Sequence, residues 1–199
     1  MKSRLVVFDL DNTLFSINTH HYFSDHFFKS KSKFIYLIYK ILSLKLFVHL
    51  YYMFTKRDIK RDFSVYMFSF FSSKILDDGL EKIFKNLDDY KIDKTFNLLN
   101  KMKSKGYKVI VLSATVDFIA KYIANKYDIE IYSSIIKNGK YYFDMTGQKV
   151  NYVDEHFSKY EKYLFVSDNK EDINKEFKNY IYVYKDMYFK NIEIESFEC

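Results

Sequence analysis

The chain has 199 residues, a length that suits one hydrophobic core with a small additional lobe. Its 32 basic and 26 acidic residues give a formal charge of +6, and because this charge is spread along the chain, no nucleic-acid partner is expected. The single cysteine, Cys199, excludes a disulfide scaffold and a cysteine zinc site. The apolar run near the N-terminus is too short for a secretion signal, so we expect a cytoplasmic protein.

The first predicted element is a strand from Leu5 to Leu10, a short apolar run that ends in acidic residues. Residues 16–87 then break the strand pattern, because they read as consecutive helices with no strand-like run. We therefore expect an α/β core made of residues 1–15 and 88–199, with residues 16–87 inserted as an all-helical cap.

The apolar stretch from Phe34 to Phe54 is 21 residues long, which is close to the length of a membrane-spanning helix. Lys40, Lys45 and His49 interrupt it, and one lysine at the centre of a bilayer costs about 2.5–3.5 kcal/mol on insertion scales. Buried helices of the lobe are the favoured interpretation. A face that contacts the membrane surface and a true span remain alternatives.

Three further apolar runs have the composition of buried strands. They are Lys108–Leu112, Tyr163–Val166 and Tyr180–Tyr184. Helical patterns lie between and around them, at Asp93–Lys105, Val116–Tyr127, Val150–Tyr160 and Lys170–Lys178. This alternation predicts a Rossmann-like parallel sheet with helices on both faces. Residues Ile135 to Phe143 alternate around Asn138-Gly139, which predicts a small hairpin.

Two carboxylates, Asp9 and Asp11, come at the end of the first predicted strand. The carboxyl ends of parallel strands form the ligand-binding edge of open α/β sheets. Neighbouring carboxylates attract a divalent cation, and oxygen ligands suit Mg²⁺. Alone, this pair is also compatible with an ordinary solvated turn.

Polar residues also follow two later strands. Ser113 ends one strand and precedes a helix whose N-terminal amides are suited to a phosphate oxygen. Asp168 and Asp172 follow another strand, and Lys149 lies at the start of the helix before it. Four such positions on suitable elements favour an enzyme site at this edge.

In this order, Asp-x-Asp-x-Thr at residues 9–13, Ser113, Lys149 and Asp-x-x-x-Asp at residues 168–172 resemble the haloacid dehalogenase-like superfamily. The resemblance is to its phosphatase branch with a helical cap after the first strand, the branch of phosphoserine phosphatase. It covers nearly the whole chain. It implies a Mg²⁺-dependent phosphatase that hydrolyses a small-molecule phosphate ester.

The resemblance also implies a role for each matching position. Asp9 is the nucleophile that forms an aspartyl-phosphate, and Asp11 is the general acid and base. The other positions hold the phosphoryl group or the metal: Thr13 and Ser113 bind phosphoryl oxygens, Lys149 neutralises charge, and Asp9, Asp11 (through its carbonyl), Asp168 and Asp172 hold or support Mg²⁺.

The chain departs from the family pattern at two positions. Ser167 stands where the family usually has glycine, so the backbone there is strained if it needs a positive φ. Asn18 stands where phosphoserine phosphatases have a glutamate that binds the substrate amine, so phosphoserine is not the expected substrate.

Several residues have competing interpretations. Lys137 and Lys140 are alternative candidates for the catalytic lysine. Arg57 and Arg61 lie four residues apart on one helical face, where they form either an anion clamp or an ordinary solvated surface. The histidines of the lobe, His20, His21 and His26, lack partners spaced for a metal site.

Three other functions remain open. The aromatic cap would suit a phosphatase that acts on phospholipid head groups at a membrane surface. The positive charge is compatible with a phosphatase of nucleic-acid ends, which would show strong salt dependence. A non-catalytic binding protein of the same fold is the third, although all four aspartates are present. The oligomeric state cannot be predicted.

Overall fold

The computed structural model describes residues 3–172, 176–184 and 188–190; Cys199 lies outside these ranges. This part of the chain divides into two compact units. The first contains residues up to Asn18, Asp89–Ser134 and residues from Asp144 onward, and the second contains Thr19–Asp88 and Ile135–Phe143. The second unit thus takes in a segment beyond the residues 16–87 expected for the helical lobe. Its action as a cap stays a prediction.

The described strands form one sheet with the order β4-β3-β2-β1-β5-β6-β7. They are β1 (Arg4–Asp9), β2 (Lys108–Val116), β3 (Ile131–Lys137), β4 (Lys140–Phe143), β5 (Glu161–Ser167), β6 (Asn179–Tyr184) and β7 (Tyr188–Lys190). Strands β1, β2, β3, β5 and β6 are parallel, whereas the edge strands β4 and β7 are antiparallel to their neighbours. The predicted α/β fold with a parallel sheet is confirmed.

Five consecutive helices follow β1, as the sequence predicts: α1 (Thr19–Lys31), α2 (Lys33–Leu42), α3 (Lys45–Thr55), α4 (Ile59–Phe68) and α5 (Ser73–Ile83). A 3-10 helix, Phe84–Tyr90, leads to α6 (Asp93–Ser104), and α7 (Asp117–Tyr127) and α8 (Lys149–Phe157) separate the later strands. Side-chain oxygens of Ser32, Asp58 and Ser72 accept hydrogen bonds from backbone amides at the starts of α2, α4 and α5, which satisfies donors that a helix leaves unpaired.

The central strand β1 is the most deeply buried part of the sheet. Leu5, Val6, Val7 and Phe8 are 0% exposed, because β2 and β5 pair with its two edges and side chains of both faces are covered. A continuous apolar run is what such a strand requires. The first unit therefore fixes the carboxyl end of β1, where Asp9 lies, in a rigid frame.

The predicted hairpin is present as β3 and β4, with Asn138 and Gly139 at its turn. Both turn residues have positive φ, 49° and 71°, as a type I′ turn requires. By contrast, the helix predicted from Lys170 to Lys178 is wrong at residues 176–178. A single 3-10 turn covers Lys170–Asp172 and residues 176–178 are not helical, while residues 173–175 lie outside the described ranges.

Aromatic side chains form the core of the second unit. Phe23, Phe27 and Phe28 of α1 are fully buried and contact Phe68 of α4. Gly79 of α5 lies against the ring of Phe27, where an added Cβ would come within 2.8 Å of two ring carbons. Close packing of α5 on α1 therefore depends on the absence of a side chain at this position.

The favoured expectation of buried helices for residues 34–54 is wrong. Tyr39 is the buried residue of α2, and none of the residues of α3 is buried. The reason is geometric, since α3 packs mainly against α2 and α4, and much of its surface stays open among the residues that the structure describes. No single helix in the described ranges is long and apolar enough to cross a membrane, although α2 and α3 together, bent by 68°, reach that length and composition.

Candidate active site

The parallel register brings the ends of three strands to the same edge of the sheet. Asp9 at the end of β1 pairs with Leu112 of β2, and Phe8 pairs with Val166 of β5. The residues that follow these partners, Ser113 and Ser167, therefore lie on either side of Asp9. This edge is where open α/β sheets bind ligands.

Asp9 is buried, with 6% of its surface exposed. Its Oδ2 lies 2.7 Å from Lys149 Nζ, and its Oδ1 accepts a 2.7 Å hydrogen bond from the backbone amide of Leu10. Burial raises the pKa of Asp9 above its ordinary value, and the charge of Lys149 opposes this only in part. One oxygen of Asp9 is thus aligned by the backbone and the other by a cation.

Lys149 is the first residue of α8 and is 7% exposed. Its ammonium lies between two carboxylates, since Asp172 Oδ2 is 2.6 Å away in addition to Asp9. Burial alone would lower the pKa of Lys149, but the two carboxylates outweigh burial and raise it. Lys149 is therefore a cation at neutral pH, held on both sides.

Ser167 is a member of this cluster whose role sequence reasoning missed. Its hydroxyl donates a 2.8 Å hydrogen bond to Asp172 Oδ2 and lies 3.4 Å from Asp9 Oδ2. The backbone at Ser167 does not have a positive φ. A serine therefore fits this position without the backbone strain that the sequence comparison with the family suggested. The sequence signal for this role was the serine that replaces the usual glycine, because a hydroxyl group can donate a hydrogen bond to a neighbouring carboxylate.

Thr13 joins the loop after β1 to the loop after β5. Its Oγ1 accepts a 3.0 Å hydrogen bond from the backbone amide of Asp168, and its carbonyl accepts one of 2.7 Å from Thr95 of α6. The loop turns at Asn12, which has a φ of 55°, a conformation that asparagine tolerates better than most residues. Thr13 is fully buried, so its position is fixed by the fold.

Asp168 lies beside Asp9, and their charges repel. Burial raises the pKa of Asp168, and the negative charge of Asp9 raises it further, to about 6. A hydrogen bond with Asn12 acts in the opposite direction and lowers the pKa. Two adjacent carboxyl groups form an oxygen-only donor set that fits a small divalent cation such as Mg²⁺. In the described residues no three acidic, histidine or cysteine side chains converge as a metal group, so any further ligands here would be backbone carbonyls or water.

The remaining predicted residues lie at the same edge with fewer contacts. Ser113 is fully buried and its Oγ accepts a hydrogen bond from the amide of Thr115 at 3.0 Å. Strand β2 continues to Val116, and α7 begins at Asp117, so the helix does not start directly after Ser113. Asp11 is partly buried, two residues beyond Asp9.

The competing candidates take other positions. Lys137 and Lys140 are exposed on the hairpin of the second unit. His20 contacts Ser64 and His21 contacts Asp58, which shows structural use of both histidines. The two arginines of the lobe stack on one ring, since Arg57 and Arg61 lie 5.1 and 5.0 Å from the centre of Tyr141, and Arg57 also forms a two-nitrogen contact with Asp62.

Comparison with known proteins agrees with this geometry. The model of the haloacid dehalogenase-like hydrolase family matches residues 6–174, whereas no curated protein matches the chain. A structure of a protein of unknown function from Bordetella pertussis Tohama I has a TM-score of 0.73 at 14% identity, covering 87% of this chain and 85% of that one.

Two structures of phosphoserine phosphatase are also similar in fold. A substrate-bound complex has a TM-score of 0.53 at 15% identity and covers 90% of this chain and 85% of that one. A phospho-aspartyl intermediate analogue has a TM-score of 0.53 at 15% identity and covers 92% and 87%. The family match spans most of the chain, including both strand ends that carry the buried carboxylates. The chain therefore belongs to the haloacid dehalogenase-like hydrolase family and has the fold of its phosphoserine phosphatase members.

Proposed function

We propose that this enzyme is a Mg²⁺-dependent phosphatase that hydrolyses small phosphate monoesters through a phosphorylated Asp9. The observation that carries the proposal is the buried contact of 2.7 Å between Asp9 and Lys149 at the ligand-binding edge of the sheet. A carboxylate in a buried site, aligned by a backbone amide and a cation, is suited to act as a nucleophile.

The reaction has two displacements. A carboxylate oxygen of Asp9 attacks phosphorus, the bond from phosphorus to the ester oxygen breaks, and Asp11 gives its proton to the departing alcohol. Asp11 then removes a proton from water, which attacks the same phosphorus, releases inorganic phosphate and restores Asp9. Asp11 suits both steps, because it is only partly buried and solvent can reach it to exchange protons.

The neighbouring residues stabilise the charge that develops on the phosphoryl group. Lys149 supplies the positive charge. Asp172 holds its ammonium in place, and the hydroxyl of Ser167 donates a hydrogen bond to Asp172. Thr13 and Ser113 supply hydroxyl groups for phosphoryl oxygens at two positions of the same edge. Fixed donors of this kind contribute strongly to catalysis because they need little reorganisation during the reaction.

Asp9, Asp168 and the backbone carbonyl of Asp11 are the residues that would hold Mg²⁺. When bound, the cation supplies neutralisation of phosphoryl charge and orientation of the ester. The side-by-side carboxyl groups of Asp9 and Asp168 support this assignment. Lys149 and Ser167 both donate hydrogen bonds to Oδ2 of Asp172. We therefore propose that Asp172 positions Lys149 and does not bind the metal directly.

Two findings about related structures support the substrate class. The phosphoserine phosphatase that is similar in fold has been captured as an analogue of a phospho-aspartyl intermediate. A structure of cytosolic 5'-nucleotidase IIIB bound to cytidine shares the fold at a TM-score of 0.54 and 11% identity, covering 91% of this chain and 72% of that one. Both proteins are named for small phosphorylated substrates, and we infer the same class for this chain.

Hydrolysis of an aryl phosphate tests the proposal. The wild-type protein with Mg²⁺ is expected to turn over, EDTA is expected to stop it, and Asp9→Asn is expected to abolish it. Asp128→Asn is a matched control, because Asp128 is exposed and has a left-handed conformation that asparagine accepts. Turnover that survives in Asp9→Asn would reject the mechanism.

A second variant separates the two steps. An aryl leaving group departs without an acid, so Asp11→Asn is expected to release one equivalent of phenol rapidly and then to stall. Intact-protein mass spectrometry should detect the added phosphoryl group on Asp11→Asn and not on the double variant that also carries Asp9→Asn. A stalled variant without added mass would show that no phospho-aspartate forms.

A further inference from the structure

The helices α2 and α3 carry an unusual concentration of exposed apolar surface. Ten of the sixteen large apolar side chains that are exposed in the described residues lie between Phe34 and Phe54. They are Phe34, Leu37, Ile41, Leu44, Leu46, Phe47, Leu50, Tyr52, Met53 and Phe54. We call this set the α2–α3 surface. Contiguous apolar patches of this kind mark interaction sites more often than ordinary protein surface.

The spacing of these residues follows helical faces. Phe34, Leu37 and Ile41 recur at intervals of three and four on α2, opposite the buried Tyr39. On α3, Leu46 and Leu50 lie on one face together with Met53. Each helix therefore presents an apolar stripe away from the core of its unit, which is the pattern of a helix that lies in an interface.

The charge of this segment has one sign. Residues 26–57 contain six lysines and Arg57 and no aspartate or glutamate. Two of these cations are paired with carboxylates outside the segment, Lys40 with Asp25 and Arg57 with Asp62. Lys33, Lys45 and Lys56 are exposed beside the apolar stripes. A second copy of the same face would bring like charges together, which opposes self-association. An apolar surface bordered by cations is complementary to a layer with an apolar interior and anionic head groups.

We propose that the α2–α3 surface docks on an anionic lipid bilayer, with its apolar side chains inserted at the level of the head groups. The bend of 68° between the helices allows both to lie along the bilayer plane. In this arrangement Lys45, close to the bend, keeps its ammonium group in water, and Lys40 keeps its contact with Asp25. A spanning arrangement would bury both ammonium groups. The inference concerns binding and does not depend on the proposed activity.

Flotation of the purified full-length chain with vesicles tests the proposal. Binding is expected to vesicles of phosphatidylcholine and phosphatidylglycerol and to be much weaker with phosphatidylcholine alone. Each basic side chain near an anionic surface adds about 1 kcal/mol to the binding free energy, which is about fivefold in affinity. The double variant Lys33→Gln with Lys45→Gln, which removes two of them, should therefore weaken vesicle binding by roughly 30-fold. Leu46→Ser with Phe54→Ser should weaken it at least about tenfold through lost apolar burial.

Tyr142→Ser is the matched control, because Tyr142 is 70% exposed and lies on β4, outside the α2–α3 surface. It is expected to bind vesicles like the wild type. Equal weakening by Tyr142→Ser, or binding that ignores lipid charge, would overturn the proposal. A dimer in lipid-free solution that Leu46→Ser with Phe54→Ser dissociates, together with no vesicle binding, would instead assign this surface to a second copy.

Depth in the bilayer can be measured directly, because the chain contains no tryptophan. Phe54→Trp, at a side chain that is 84% exposed, introduces a single reporter. Its emission should shift to the blue on vesicle binding, and lipids labelled near the head group should quench it more than lipids labelled at the chain ends. Stronger quenching from the chain ends would overturn interfacial docking in favour of a span, and no spectral change would overturn contact altogether.

Discussion

Lys149 Nζ lies 2.6 Å from Asp172 Oδ2, and both side chains are less than 10% exposed. The same nitrogen contacts Asp9, so one buried cation is shared by two carboxylates. In a buried site each charge depends on its partner, because transfer of an unpaired charge from water is costly. Removal of either partner therefore affects folding as well as chemistry.

Replacement of Lys149 by methionine is expected to destabilise the protein strongly. It leaves Asp9 and Asp172 buried without their cation, a loss of about 3–5 kcal/mol in the free energy of unfolding. Urea unfolding at neutral pH measures it. Lys103→Met is the control, since the contact of Lys103 with Asp128 is at the surface and should contribute less than about 1 kcal/mol. Equal losses in the two variants would contradict a special role for the buried pair.

Asp168→Asn separates metal binding from folding. Because Asp168 and Asp9 repel, the variant without metal should be more stable than the wild type, by about 1 kcal/mol after allowance for solvent screening. Saturating Mg²⁺ should raise the Tm of the wild type, since a ligand at 100 times its Kd stabilises by about 2.7 kcal/mol, and should leave Asp168→Asn unchanged.

Glu171→Gln provides the control for this experiment, because Glu171 is exposed in the 3-10 turn that follows Asp168. It should respond to Mg²⁺ like the wild type. A Mg²⁺-induced rise in Tm that Asp168→Asn retains in full would show that the cation binds elsewhere.

The contact between His21 and Asp58 predicts an acid-dependent part of the stability. Burial raises the pKa of Asp58, but the hydrogen bond from His21, the charge of His21 and two backbone amides outweigh burial and lower it from 3.8 to about 2. A lowered carboxyl pKa stabilises the folded state above about pH 4, and this contribution is lost as the pH falls through about 2.

Asp58→Asn isolates this effect, because asparagine also caps helices and so preserves the start of α4. The free energy of unfolding of the wild type should fall more steeply between pH 4 and pH 2 than that of Asp58→Asn, by about 1 kcal/mol for this partly exposed group. Parallel pH profiles of the two proteins would exclude the contribution of the pair.

Gly79→Ala is expected to destabilise the second unit, although alanine is the better helix former by about 1 kcal/mol. The new Cβ would meet the buried ring of Phe27 at 2.8 Å, and overpacking of a core costs about 1–3 kcal/mol. A double-mutant cycle with Phe27→Leu measures the clash by thermal unfolding. The loss from Gly79→Ala should shrink when Phe27 is already replaced; an unchanged loss would place its cause elsewhere.

The sheet and the position of the candidate site follow from local patterns. Short β-branched runs predict β1, β2, β5 and β6, and parallel pairing then brings Asp9, Ser113 and Asp168 to one edge without further information. The hairpin is predictable because Asn138-Gly139 determines its own turn. The helix predicted from Lys170 to Lys178 does not include residues 176–178, because so short a helix is marginal on local propensity alone.

Two other features depend on tertiary structure. The direction of the Ser167 hydroxyl is set by where Asp172 and Asp9 meet, and no spacing in the sequence encodes it. The exposure of α3 likewise cannot be predicted from the sequence, because hydropathy measures how apolar a helix is and does not indicate whether another element covers it. Both features depend on how the elements are arranged in three dimensions, which local sequence patterns do not state.

The β3–β4 hairpin makes the second unit discontinuous in sequence. Residues 19–88 alone would lack Tyr141, on which Arg57 and Arg61 stack, and the turn at Gly139, which approaches Ser69 closely. A transplant of this lobe onto another enzyme, or its expression as a separate fragment, would therefore need the nine residues from Ile135 to Phe143 as well. Natural exchange of lobes between relatives faces the same requirement, so a single insertion event does not move this unit intact.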